Sequence, residues 1–138
     1  MKNKINLQWQ NQMTFVTEVT GHTITLDTDP NHGGNNNGVR PKPLLLVALA
    51  GCTAMDVVSI LKKMRIIPES FSVDVEGELT DNHPKVYHSL HIIYRFKGKE
   101  LPYNMLERAI KLSQDNYCGV SAMLAKAAKI TWEIVIDD

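Results

Sequence analysis

The N-terminal third of the chain shows a two-residue hydrophobic period. Apolar and polar residues alternate in TFVTEVT (residues 14–20) and HTITLDT (22–28), and INLQWQ (5–10) is a further candidate segment before them. Such alternation is typical of β-strands that bury one face. Gly21 separates the two clearest segments and favours a short hairpin turn. We therefore predict three strands in a meander.

A polar segment rich in glycine, asparagine and proline follows, DPNHGGNNNGVRPKP at residues 29–43. This composition sustains neither a helix nor a strand. We expect a flexible surface loop, or else a lid. Pro43 at its end can occupy the first turn of a helix, where its missing N–H is not needed.

The stretch from Leu44 to about Met64 is apolar on almost every side and predicts one long helix. Such a helix must be covered on most sides by other elements, so we expect it at the centre of the fold. Asp56 lies within it and would be unfavourable at bilayer depth, which favours a buried helix over a membrane span.

The second half of the chain returns to alternation and then mixes both periods. FSVDVEGELT (71–80) and SLHIIYRFKG (89–98) predict two antiparallel strands with one solvated face. Helical spacing then predicts a second helix on the stripe Leu106, Ala109, Ile110, Ser113 and Tyr117. VSAMLAKAA (120–128) predicts a short third helix, and KITWEIVID (129–137) a final strand.

The resulting order is βββ-α-ββ-αα-β. Strands that come in runs indicate an α+β fold with antiparallel sheets around a long central helix. With 138 residues, the chain is expected to form a single domain, residues 1–138.

The charges balance, with 15 basic and 15 acidic side chains. A neutral chain argues against a basic nucleic-acid surface and against a polybasic membrane patch. The opening MKNKINLQWQNQ has no apolar core of a signal peptide, so a cytoplasmic location is expected.

Two cysteines, Cys52 and Cys118, are the candidate reactive groups. A structural disulfide is disfavoured in the cytoplasm, so they are either buried small hydrophobic residues or a redox pair. They do not form a CxxC motif, the five histidines show no ligand spacing, and HGGNNNG lacks the lysine of a phosphate-binding loop. We therefore expect no metal and no cofactor.

Two segments carry a family resemblance. LLLVALAGCTAMDVVSIL (44–61), followed later by NYCGVSAML (116–124), resembles the OsmC/Ohr family of bacterial hydroperoxide-handling proteins, and the match covers nearly the whole chain. The resemblance implies an OsmC-like fold and an intertwined homodimer. In such a dimer the long helices pack centrally and each active site lies at the subunit interface.

The resemblance also implies residue roles and a stress-response antioxidant activity. Cys52 would be the peroxidatic cysteine, which attacks an organic hydroperoxide, and Cys118 the resolving cysteine, which closes a disulfide. The reductant would be a dithiol. The apolar residues near Cys52, including Leu45, Leu49 and Met55, suit an alkyl peroxide.

The chain departs from the family where the thiolate is activated. The family pairs its peroxidatic cysteine with an arginine that a glutamate before the central helix holds. Here Pro43 stands in place of that glutamate, and Arg40 is the arginine in the preceding loop. Arg40 is thus the candidate activating cation, with a solvated loop charge as the alternative. Asp56 lies one turn from Cys52, where its negative charge would disfavour a thiolate, so a structural role is favoured for it.

Three functions follow as hypotheses. The first is thiol-dependent reduction of organic hydroperoxides through Cys52 and Cys118, with Arg40 as the activating residue. The second is a dimer with weak or no turnover that binds a small hydrophobic or electrophilic ligand, which the missing glutamate favours. The third is a thiol redox sensor.

Overall fold

The computed structural model describes residues 1–137 and has the α+β fold class that the sequence predicts. Its strands and helices are β1 (Gln8–Asn11), β2 (Thr14–Val19), β3 (His22–Leu26), α1 (Leu44–Lys63), β4 (Ser70–Leu79), β5 (Tyr87–Lys97), α2 (Tyr103–Leu112), α3 (Gly119–Leu124) and β6 (Lys129–Asp137). The chain forms two compact units, Met1–Leu45 and Leu46–Asp138.

The N-terminal unit contains the predicted meander. β1, β2 and β3 pair in that order and are antiparallel. Phe15 pairs with Trp9 on one side and with Leu26 on the other. Leu26 also forms a parallel bridge with Val39, which ties the end of the asparagine-rich segment back to β3.

The asparagine-rich segment is connected by hydrogen bonds to one buried carboxylate. The carboxylate of Asp27, 3% exposed, accepts hydrogen bonds from the hydroxyl of Thr14 at 2.9 Å and from the backbone N–H of Thr28 at 2.7 Å. It also accepts from the backbone N–H groups of Asn37 at 3.1 Å and Asn35 at 3.4 Å. Burial raises the pKa of Asp27, but these hydrogen bonds outweigh it and hold the pKa below its usual value.

The C-terminal unit has a second sheet in the order β4-β5-β6. β4 and β5 are antiparallel, as predicted, and Val73 pairs with Tyr94. β5 and β6 are parallel, with Ile92 paired to Trp132, so the prediction of purely antiparallel sheets is wrong at this pair. The reason is the long helical connection between the two strands, which returns the chain to the end of the sheet at which β5 begins.

The core of this unit forms between α1, β5 and α2. β5 is the central strand, and the residues that it buries lie against apolar residues of both helices. The fully buried apolar residues are Leu49, Val57, Leu61, Leu90, Ile92, Tyr94, Phe96, Leu106, Ala109 and Ile110. This cluster fixes α1 and α2 on the sheet, and with them the side chains described below.

One face of α1 carries exposed apolar side chains among the residues that the structure describes. Val47 is 64% exposed, Met55 75% and Val58 53%, although the sequence predicted coverage on most sides. By length and composition alone α1 is apolar enough to cross a membrane, a property that it shares with core helices of soluble proteins.

Candidate functional site

Three neighbouring residues of α1 contribute to the candidate site. Thr53 is fully buried, while Cys52 and Asp56 are half-buried. In a helix, residues three or four positions apart lie on the same face, so Asp56 stands one turn beyond both Cys52 and Thr53. An apolar helix thus presents a thiol, a hydroxyl and a carboxylate to the same region.

Cys118 comes from the connection between α2 and α3. A π-helical turn, Ser113–Tyr117, widens the end of α2, and the N–H of Cys118 donates to the carbonyl oxygen of Ser113 at 2.7 Å. Such turns are frequent at functional sites because they redirect side chains. Cys118 is also the N-cap of α3, where its Sγ accepts from the N–H of Ser121 at 3.4 Å and from its hydroxyl at 3.1 Å.

The fold brings the two cysteines together. The Sγ atoms of Cys52 and Cys118 and a carboxylate oxygen of Asp56 all lie within 4.8 Å of one another. Both thiols are free, and Cys118 is only 3% exposed. A half-buried thiol thus lies beside a fully buried one.

The surroundings of Cys118 favour its neutral thiol. Burial raises the pKa of Cys118 above its usual value. The two hydrogen bonds from Ser121 lower it in part, and the neighbouring Cys52 raises it further.

A buried hydrogen-bonded network adjoins the thiols. Ser113 Oγ donates to Asp56 Oδ2 at 2.9 Å, and it lies 2.8 Å from Thr53 Oγ1. Thr53 Oγ1 in turn lies 2.7 Å from the hydroxyl of Tyr94. The side-chain amide of Gln114 donates to Thr53 Oγ1 at 3.2 Å and to the Tyr94 hydroxyl at 3.0 Å.

The direction of this network follows from counting protons. A carboxylate only accepts, so Ser113 gives its one hydroxyl proton to Asp56. Ser113 must then accept from Thr53, and Thr53 must accept from Tyr94. The protons therefore point in one direction, from Tyr94 through two hydroxyls to Asp56.

Tyr94 is the buried end of this network. Burial raises its pKa to about 12, although the hydrogen bonds that the phenol makes with Thr53 and Gln114 partly oppose the shift, and the charges of Cys118 and Asp56 add to it. The phenol therefore stays protonated at neutral pH and can act as the donor that the network needs.

Arg40 belongs to the N-terminal unit. Its Nη1 donates to Asn36 Oδ1 at 2.6 Å and to the carbonyl oxygen of Gly38 at 3.1 Å. These bonds anchor its guanidinium to the asparagine-rich segment. The role of Arg40 as activating cation stays a prediction, as do the assigned roles of the two cysteines.

Sequence reasoning missed four residues of the network: Thr53, Tyr94, Ser113 and Gln114. A signal existed for two of them, because Thr53 interrupts an apolar helix and Ser113 lies on the predicted apolar stripe of α2. A hydroxyl at a buried position needs a partner, so each of them implied a second polar group nearby. Nothing in the pattern identified that group.

Comparisons with known proteins agree with this fold. The family model described as OsmC-like protein matches residues 33–133. Protein YhfA of Escherichia coli strain K12 is 34% identical over an alignment of 134 residues, which covers 94% of this chain and 96% of that protein. A hypothetical protein from Aquifex aeolicus VF5 has a similar crystal structure, with a TM-score of 0.83, 31% identity and coverage of 100% and 99% of the two chains.

An organic hydroperoxide resistance protein OsmC from Legionella pneumophila shares the fold at lower similarity. Its TM-score is 0.68 at 15% identity, with 98% of this chain and 97% of that chain covered. At this identity the likeness shows the fold alone. The family model and the Escherichia coli relative carry the assignment, and the chain belongs to the OsmC-like protein family.

Proposed function

We propose that this protein reduces organic hydroperoxides with Cys52 as the peroxidatic and Cys118 as the resolving cysteine. The observation that carries the proposal is the proximity of the two free thiols, within 4.8 Å. Their different exposure supports the order of the roles. The half-buried Cys52 is open to a substrate, whereas Cys118 is buried and best placed to react with a group already on Cys52.

The reaction has two steps and a reductive return. The Cys52 thiolate attacks the outer oxygen of the hydroperoxide, the O–O bond breaks, and an alcohol leaves once its alkoxide takes a proton. Cys52 is then a sulfenic acid. The Cys118 sulfur attacks the Cys52 sulfur, a disulfide forms, and the sulfenic oxygen leaves as water. A dithiol reductant restores both thiols and becomes a disulfide itself.

The substrate class is supported by the fold that this chain shares with the organic hydroperoxide resistance protein from Legionella pneumophila. The packing of Cys52 against the apolar core cluster that contains Leu49 adds to this support, because it makes the surroundings of the thiol apolar. We therefore propose alkyl hydroperoxides over hydrogen peroxide.

The test is intact-mass analysis of the reduced protein after a stoichiometric pulse of an alkyl hydroperoxide. The parent should lose the mass of two hydrogens. C118S should trap one added oxygen on Cys52, whereas C52S should stay unchanged. N82A, a change at an exposed position of the β4–β5 turn, serves as the control and should behave like the parent.

Unchanged thiols in the parent after prolonged excess peroxide would refute the proposal. Equal rates with hydrogen peroxide and an alkyl peroxide would refute only the substrate preference. Comparison of R40K and R40M tests the activating charge, because lysine keeps the positive charge while losing the planar fork. If Arg40 activates the thiol, R40M should react more slowly than R40K.

We further propose that the protein acts as a homodimer. The exposed apolar face of α1 supports this, since Val47, Met55 and Val58 lie on the most apolar helix of the chain and stay open to solvent. Contiguous apolar surface of this kind marks interaction sites. Light scattering should give twice the chain mass for the parent and a lower mass for M55E. N82E, in the exposed β4–β5 turn, is the charge-matched control, and a monomeric parent would refute the proposal.

A further inference from the structure

The side chains of Cys52, Cys118 and Asp56 also satisfy the spatial requirement of a metal site. Each offers one ligand atom, and the three atoms lie within 4.8 Å of one another. Around a tetrahedral Zn²⁺, two thiolates and a carboxylate oxygen lie about 3.6–3.8 Å apart, which follows from the usual bond lengths. No pair of these atoms therefore needs to approach by more than about 1.2 Å to reach the spacing of tetrahedral ligands.

The ligand types select the metal. Two thiolates and one carboxylate suit Zn²⁺, which is borderline soft, and disfavour Mg²⁺ and Ca²⁺, which take oxygen ligands. Three protein ligands leave the fourth tetrahedral position for water, as in open zinc sites.

The charges at this point also favour a cation. With both thiols deprotonated, the three ligands carry three negative charges. Within residues 46–137, no lysine, arginine or histidine nitrogen lies within 4.0 Å of the Asp56 carboxylate. A divalent ion would offset two of the three charges and release one proton from each thiol.

Neighbouring groups already orient the ligands. Ser113 donates to Asp56 Oδ2, which leaves Oδ1 without a hydrogen bond to any of residues 46–137. Ser121 donates to Cys118 Sγ through its N–H and its hydroxyl. Hydrogen bonds of this kind position metal ligands and strengthen binding about 10–100-fold. Ser113 and Ser121 are therefore positioning residues.

We propose that Cys52, Cys118 and Asp56 of the reduced protein bind one Zn²⁺ per chain. The metal takes both thiolates, so a loaded protein cannot present a free thiol at this site. The sequence shows no ligand motif for this site, since Cys52 lies in α1 and Cys118 in the connection between α2 and α3.

The test uses the full chain, reduced and kept free of oxygen, with Zn²⁺ in competition with a chromogenic chelator. The parent should hold one Zn²⁺ per chain. C52S, C118S and D56N should each lose more affinity than the roughly 10–100-fold expected for S113A, which removes the hydrogen bond that positions Asp56. D81N removes an exposed acid in the β4–β5 turn and should bind like the parent.

A second measurement needs no variant. X-ray absorption of the zinc-loaded parent should show two sulfur ligands at about 2.3 Å and light-atom ligands at about 2.0–2.2 Å. The proposal would be overturned if the reduced parent did not retain Zn²⁺, or if the zinc coordination shell contained no sulfur. It would also be overturned if D56N bound Zn²⁺ as tightly as the parent. No peroxide is present in these experiments, so their outcome is independent of the peroxidase test.

Discussion

The side-chain oxygen of Thr53 lies 2.7 Å from the hydroxyl of Tyr94, and both residues are fully buried. Thr53 also gives Ser113 the hydrogen bond that continues the network to Asp56. A single hydroxyl on α1 therefore satisfies polar groups from β5 and from the turn after α2. We expect this hydroxyl to matter more for stability than its size suggests.

Replacing Thr53 by valine keeps the shape of the side chain and removes the hydroxyl. Buried hydroxyls of Tyr94 and Ser113 would each lose a partner, so T53V should lower the free energy of unfolding by about 1–3 kcal/mol. T53S is the matched control, because it keeps the hydroxyl and loses one methyl group, about 0.8 kcal/mol. Urea unfolding measures both. A T53V protein as stable as the parent would contradict the network.

The raised pKa of Tyr94 predicts a loss of stability in alkali. The folded pKa of about 12 lies above the usual value of 10.0, so the neutral phenol stabilises the fold. This contribution is complete below pH 10.0 and disappears as the pH rises to about 12. Two pKa units correspond to roughly 2–3 kcal/mol. Unfolding followed across this range should show the fall in the parent and a smaller one in Y94F.

Ultraviolet absorbance provides a direct check of the same residue. The parent should show one tyrosine that ionises later than the others, and Y94F should lack that late step. If all four tyrosines of the parent ionise together near the usual value, Tyr94 is not buried as described.

The lowered pKa of Asp27 predicts the opposite pH dependence. Its folded pKa lies below the usual 3.8, so its ionised form stabilises the fold above that pH, and the contribution is lost as the pH falls below it. Acid should therefore release the asparagine-rich segment, and D27N should release it already at neutral pH. Amide exchange at Asn35 and Asn37 reports both events. D81N should leave this exchange unchanged.

Two glycines should respond in opposite directions to alanine. A Cβ on Gly38 would overlap with the backbone of Thr25 and come within 2.9 Å of the backbone nitrogen of Leu26, so G38A should cost at least about 1 kcal/mol. Gly51 has open space around its Cβ position in α1, so G51A should add about 0.5–1 kcal/mol of helix stability. Thermal melts of the two variants compare them directly. Equal shifts of the same sign would contradict the packing around Gly38.

Local patterns predicted the helices and strands, but they predicted strand pairing correctly only between strands that follow one another along the chain with no helix between them. Alternation identified the strands, and the apolar run identified α1, because both signals depend on periodicity within one segment. The parallel pairing of β6 with β5 depends on the path of the chain between them, which periodicity does not encode. By contrast, the meander was predicted correctly, because short turns join its strands and leave little choice of pairing.

Of the candidate site, the two cysteines were predicted and the polar network beside them was not. Both cysteines follow from the family resemblance, and the fold places them side by side.

Outside the candidate site, Asp27 was not recognised as the residue that organises the asparagine-rich segment. Three of its four hydrogen-bond partners are backbone N–H groups, which every residue but proline has. Such contacts leave no trace in side-chain composition.

The position of Cys118 at the start of α3 links its oxidation state to the helix. In the thiol form its sulfur accepts both hydrogen bonds from Ser121. A disulfide would turn this sulfur towards Cys52 and weaken a cap worth on the order of 1 kcal/mol. Because the cap stabilises the reduced form, it would raise the reduction potential of the pair by roughly 20 mV. The first turn of α3 thereby favours the dithiol form of the cysteine pair, which eases the return of the protein to its reduced state.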